Sequence, residues 1–129
     1  MHTKLGRAII LVDDYDKAFD FYEINFFCKK LFDEISPNGQ RLLHIAFSHD
    51  DSVGVWLLKA EGDEQRKKIG KQTGGQPALV IYTDDVEELY YHVQGNNVRI
   101  LQPLATARDS KFFHCLDLYD NRLTIVQVG

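Results

Sequence analysis

The second half of the chain repeats the first at an offset of about 71 residues. Val12, Asp13, Asp14 and Tyr15 open an apolar-periodic segment ending in Phe21 and Tyr22, and Thr83, Asp84, Asp85 and Val86 open another ending in Tyr90 and Tyr91. Each is preceded by an apolar run, Ala8 to Val12 or Ala78 to Tyr82. Farther on, RLLHIAF (Arg41 to Phe47) answers KFFHCLD (Lys111 to Asp117), which pairs His44 with His114, and VWLLK answers LTIVQ with nearly the same spacing. So little drift marks an internal duplication, and a duplication outranks any single motif as a guide to fold.

Each half reads as β-α-β-β-β. Arg7 to Val12 is β-rich and bounded by Gly6 and an acidic pair, and Asp14 or its neighbour caps a helix through about Phe26. Lys29 to Ile35, Arg41 to Phe47 and Val53 to Lys59 read as strands, with SPNGQ at Ser36 to Gln40 as a turn. In the second half Pro77 to Thr83 is a strand, and Val86, Leu89, Tyr90 and Val93 follow the spacing of an amphipathic helix. Asp85 and Glu88 make a capping box, and Gly95 is the expected left-handed stop. Val98 to Leu101, Phe112 to Asp117 and Asn121 to Val128 complete the module. The expected class is α+β: one domain over residues 1–129, with modules at about 5–59 and 77–129 and a linker at about 60–76.

At 129 residues and 44% hydrophobic content the chain has one ordinary globular core's worth of sequence. A net charge of -4 argues against nucleic acid or an acidic membrane surface as partner, since both select basic proteins. Cys28 and Cys115 fit no paired metal spacing and are read as free thiols of a cytoplasmic protein. The run behind Lys4 and Arg7 is too short for a signal peptide core or a membrane span. In the linker, Arg66, Lys67, Lys68 and Lys71 suit either an anion-binding lid or a solvated helix, and the second reading is favoured. Gly70 and Lys71 are followed by Gln72, which excludes a phosphate loop.

The two modules, the acidic pair before each helix, Phe21 with Tyr22, and DLYDNRLTIVQ at Asp117 to Gln127 resemble the vicinal oxygen chelate superfamily. That superfamily holds glyoxalases, extradiol dioxygenases, fosfomycin resistance enzymes and bleomycin-binding proteins. The resemblance covers nearly the whole chain, and IGKQTGGQ at Ile69 to Gln76 looks like the inter-module segment of a bacterial glyoxalase-like subgroup. Phe27 and Asp120 stand where relatives usually have glycine. The resemblance implies curved mixed sheets around a cleft, a homodimer, and, in metal-dependent members, ligands on the first and last strands of each module. Those positions are Arg7, Trp56, Ala78 and Thr124, none of them a His or a carboxylate, so neither metal nor cofactor is expected.

Residues two apart on a strand share a face, which lets the cleft lining be written out. Arg7, Ile9, Leu11, Trp56, Leu58, Ala78, Val80, Tyr82, Arg122, Thr124 and Val126 form one set. The other set, Ala8, Ile10, Val12, Leu57, Leu79, Ile81, Leu123 and Ile125, is the face for the helices. The lining suits a planar or amphipathic ligand with an anionic group, stacked on Trp56 or Tyr82, anchored by Arg7, and contacting Arg122 and Thr124. His44 and His114 are either proton-transfer groups in the cleft, with Tyr82, or sheet histidines with both ring nitrogens satisfied. His49 with Asp50 and Asp51 reads as a solvated turn. Cys115 and His114 are no nucleophilic dyad, because adjacent strand residues point to opposite faces. The expected function is metal-independent small-molecule binding of the bleomycin-resistance type. The alternative is a glyoxalase-like lyase, isomerase or dioxygenase acting on a small carbonyl or aromatic compound.

Overall fold

The computed structural model describes residues 1–48 and 53–129. Its elements run β1 (Arg7–Val12), α1 (Tyr15–Phe26), β2 (Lys29–Ile35), β3 (Arg41–Ala46), β4 (Gly54–Lys59), α2 (Gly62–Arg66), β5 (Leu79–Tyr82), α3 (Val86–Gly95), β6 (Ile100–Thr106), β7 (Ser110–Leu116) and β8 (Arg122–Val128). The fold is α+β and its two β-α-β-β-β modules share one topology. The first forms a four-stranded sheet in the order β1-β4-β3-β2 and the second in the order β5-β8-β7-β6. In both, the first and last strands run parallel and the other neighbours antiparallel. The chain divides into two compact units, Met1–Ile69 and Gly70–Gly129.

Strand alternation separates a helix-packed face from an open one in each unit. In the first, Ile10, Val12, Leu43, Ile45, Val55 and Leu57 are buried with Ala18, Tyr22 and Phe26 of α1. Tyr22 and Phe26 extend this core to Phe47, with ring centroids 5.9 and 6.0 Å away. In the second unit, Ile81, Phe113, Cys115, Leu123 and Ile125 are buried with Val86, Tyr90 and Val93 of α3, and Tyr90 meets Phe113 edge-on at 5.1 Å. Polar residues at the helix starts satisfy backbone donors. Asp14 accepts from the Lys17 N–H and Asp85 from that of Glu88, at 3.0 and 3.1 Å. The Gln127 side chain of β8 accepts from the Val86 N–H at 2.8 Å, tying the last strand to the start of α3.

Several boundaries differ from the sequence expectation. Gly95 is the last helical residue of α3, not its left-handed stop. That conformation falls to Asn97 at φ 64°, a residue whose short polar side chain tolerates it. Val98 closes the turn, donating to the Val93 carbonyl, so β6 begins at Ile100 instead of Val98. It then runs past Pro103 to Thr106. As the outermost strand of its sheet, β6 can hold a residue lacking an N–H. Phe27 and Asp120 both adopt left-handed backbone, at φ 60° and 69°.

The DLYDN stretch is a turn pinned at both ends by buried polar side chains, and it leads into β8. Asp117 accepts from the backbone N–H groups of Tyr119 and Asn121, both at 2.9 Å, and from the Asn121 amide at 3.0 Å. Asp117 and Asn121 are among the buried polar residues of the chain. Gly70 lies against this turn so closely that a Cβ there would collide with the Tyr119 carbonyl.

Candidate functional site

The open face of the first unit carries a row of four register partners: Phe32 of β2, His44 of β3, Trp56 of β4 and Ile9 of β1. His44 lies between two rings, 5.5 Å from Phe32 and 5.0 Å from Trp56 by centroid. Arg7 reaches into this row. Its Nε donates to His44 Nδ1 at 3.2 Å and its Nη1 to the Gly6 carbonyl at 2.7 Å, so its partner is an imidazole and not the internal carboxylate that a buried arginine usually finds. Gly54, the register partner of Arg7, makes the space. A Cβ there would lie 2.8 Å from the Ile45 carbonyl and 3.1 Å from Arg7 Cδ.

Burial first, and then the Arg7 charge, push the His44 pKa below its ordinary value of 6.5, so the ring is neutral at neutral pH. His44 Nε2 and Trp56 Nε1 are both buried without a hydrogen-bond partner. The expectation of a sheet histidine with both nitrogens satisfied therefore fails for His44, since only Nδ1 is bonded. A buried polar group left without a partner costs about 1–3 kcal/mol.

The second unit presents the corresponding row, Gln102, His114, Thr124 and Val80. His114 Nδ1 lies 2.8 Å from the Thr124 hydroxyl, and the Phe112 ring packs at 5.5 Å. Burial and then Arg122 depress the His114 pKa. Arg122 Nε is buried and unpartnered. Arginine has thus changed strands between the repeats. In the first unit it stands on the first strand opposite Gly54, and in the second on the last strand, at the Gly54-equivalent position, beside Ala78. Both arrangements put a guanidinium near a neutral histidine. Tyr82 stands one row on, opposite Val126, and is 75% exposed, bordering an open depression with Thr83, Asp84 and Val128.

A divalent metal does not fit the four positions where the sequence resemblance places its ligands. Arg7 is a cation, Trp56 Nε1 only donates, Ala78 has no donor atom, and the Thr124 hydroxyl is engaged by His114. Among the described residues no three His, Cys, Asp or Glu side chains gather as a metal site. Cys28 and Cys115 are free thiols buried on the helix side, where desolvation pushes both pKa values up to about 12. In the linker, Arg66 pairs with Asp63 and Lys67 with Glu64 on an exposed surface. His49, Asp50 and Asp51 lie outside the described residues. Sequence reasoning passed over Phe32 and Gly54, although laying Gly54 against Arg122 in the repeat would have exposed the arginine exchange.

The family description Glyoxalase/Bleomycin resistance protein/Dioxygenase superfamily matches residues 4–125. An uncharacterized protein of Shewanella frigidimarina (strain NCIMB 400) is 31% identical over 131 residues, covering 100% of this chain and 96% of its own. Among solved structures, UcmS2 is similar with a TM-score of 0.83 at 19% identity, covering 98% of both chains. TnmS3, an antibiotic binding protein from Streptomyces sp. CB03234, has a TM-score of 0.76 at 22% identity, covering 99% of this chain and 98% of its own.

Proposed function

Since the chain belongs to the Glyoxalase/Bleomycin resistance protein/Dioxygenase superfamily, we propose that it is a metal-independent small-molecule-binding protein, taking a planar or amphipathic ligand with an anionic group. One observation carries this reading: the guanidinium of Arg7 occupies a position where metal-dependent relatives are expected to place a ligand, and is held there by His44 beside Trp56. A cation in that place repels a metal ion and attracts an oxyanion. Arg7 and Trp56 supply the charge and the stacking surface. Within the second unit, Arg122, Thr124 and Tyr82 are the residues assigned to ligand contact by the same reading. The likeness to an antibiotic binding protein agrees with sequestration. Native mass spectrometry of the freshly purified protein is expected to show a carried-over organic ligand, or uptake from a panel of aromatic acids, and no metal. Calorimetric titration with zinc, nickel and manganese is expected to give no saturable heat, and a stoichiometric metal would refute the proposal.

The same spectra are expected to show a homodimer. With two buried thiols the protein is read as cytoplasmic, and no helix among the described residues is long and apolar enough to cross a membrane. A second reading, a metal-free lyase or isomerase acting on a carbonyl compound, is favoured by the two half-buried histidines kept neutral on open faces. It requires that His114→Ala abolish turnover with the fold intact.

A further inference from the structure

We infer that His44 Nε2 and Trp56 Nε1 form a two-donor seat for an acceptor oxygen of the ligand, most favourably a carboxylate or similar oxyanion on an aromatic frame. This rests on the small-molecule-binding reading and adds to it the chemistry of the recognised group and the atoms that recognise it. A neutral imidazole carries a single N–H. Arginine can only donate, so His44 Nδ1, which takes the Arg7 bond, is the bare nitrogen, and the proton sits on Nε2. Nε2 and the indole Nε1 are then both donors, both buried and both unpartnered. Their residues are register partners on neighbouring antiparallel strands, with rings 5.0 Å apart. Such a pair receives an oxygen and rejects an ammonium group, which has nothing to accept with. Arg7, bonded to the other side of the imidazole, makes the local potential positive and selects an anion over a neutral carbonyl. Access follows from Phe32. Its ring packs on His44, is 43% exposed, and belongs to edge strand β2 where the ladder is irregular between Lys30 and Phe32. Outward rotation of this ring is the entry route that the inference assigns to the ligand.

The chain has a single tryptophan, so its indole N–H gives one assignable signal in a proton–nitrogen correlation spectrum. In the ligand-free protein, long-range proton–nitrogen spectra are expected to show His44 with its proton on Nε2. A proton on Nδ1 would overturn the inference. Naphthoate is the probe. Its addition is expected to move the Trp56 indole proton downfield together with the His44 Nε2 signal, and Trp56→Phe, which keeps a ring and loses the donor, is expected to weaken binding about tenfold. Ethylnaphthalene, with no acceptor, is expected to bind both proteins alike and more weakly than naphthoate binds wild type. Calorimetric binding of naphthoate with no indole shift and an unchanged Trp56→Phe affinity overturns the seat and leaves the small-molecule reading standing. Failure of naphthoate to bind also overturns the seat, while the wider reading is then decided by the native mass spectra. Phe32→Ala is expected to speed association, and an unchanged rate removes the role given to Phe32.

Discussion

Phe27 holds a left-handed backbone at φ 60° with its side chain 64% exposed, an arrangement that costs a bulky L-residue about 1–2 kcal/mol. It is tolerated because the chain must turn there to leave α1 for β2, its N–H returning to the Glu23 carbonyl at 3.0 Å. Glycine removes the strain but loosens the unfolded chain, so Phe27→Gly is expected to stabilise the protein by roughly 0.5–1 kcal/mol in urea denaturation. A loss of stability would mean that the ring's own contacts outweigh the strain. The thiols give a second residue-scale test. With Cys28 2% and Cys115 0% exposed and both pKa values raised to about 12 by burial, neither is expected to react with a thiol reagent at pH 8 until the protein is unfolded, when both should. That Cys115 points away from His114 was readable from strand alternation, whereas the burial of Cys28, which lies between α1 and β2, was not. The Arg7–His44 bond was not, because nothing in the order of residues says that a β1 side chain crosses the notch left by Gly54 to reach β3.

At the scale of elements, β8 joins the open face, the core and the helix of the second unit, and the Asp117 turn leads into it. It carries Arg122 and Thr124 on the open face, Leu123 and Ile125 in the core, and Gln127 as a partner for the first N–H of α3. Removing the Asp117 carboxylate strands two backbone N–H groups and the Asn121 amide at a buried site, so Asp117→Ala is expected to cost roughly 2–3 kcal/mol. Asp85→Ala, which removes an exposed helix cap with one bond, is expected to cost about 1 kcal/mol. The difference between the two, read from denaturation midpoints at constant slope, tests whether the turn is structural. Elements marked by β-rich composition between breakers or by a helix cap were legible in advance, β1, α1, β2 and the start of α3 among them. Those whose limits depend on tertiary neighbours were not. The irregular pairing of β6 with β7 and its passage through Pro103 depend on its being outermost, which only the sheet order reveals.

Across the whole molecule, the open faces carry a signature in the pH dependence of stability. His44 and His114 have folded pKa values below the ordinary 6.5, through burial first and then through Arg7 and Arg122 respectively. The unfolded chain therefore takes up these protons more readily than the folded one, and stability must rise with pH wherever that difference is populated. The contribution is complete above about pH 6.5 and is lost as pH falls from there through the folded values. Asp33 acts lower down. Hydrogen bonding to Arg41, and less so to Lys30, holds its pKa at about 2 against an ordinary 3.8, so its contribution is present above the ordinary value and disappears as pH falls toward about 2. Denaturation in urea from pH 8 to pH 2 is expected to show two separate declines. Protonating His44 also turns Nδ1 into a donor facing the Arg7 donor, so the upper decline should coincide with loss of the Arg7 bond. Replacing both histidines by phenylalanine is expected to flatten the upper decline and leave the lower one, whereas Asp33→Asn should leave the upper one and shrink the lower, part of which remains because the Lys17 N–H holds the Asp14 carboxyl below its ordinary pKa as well. An upper decline that survives the double replacement would show that groups away from the two rows control the acid response.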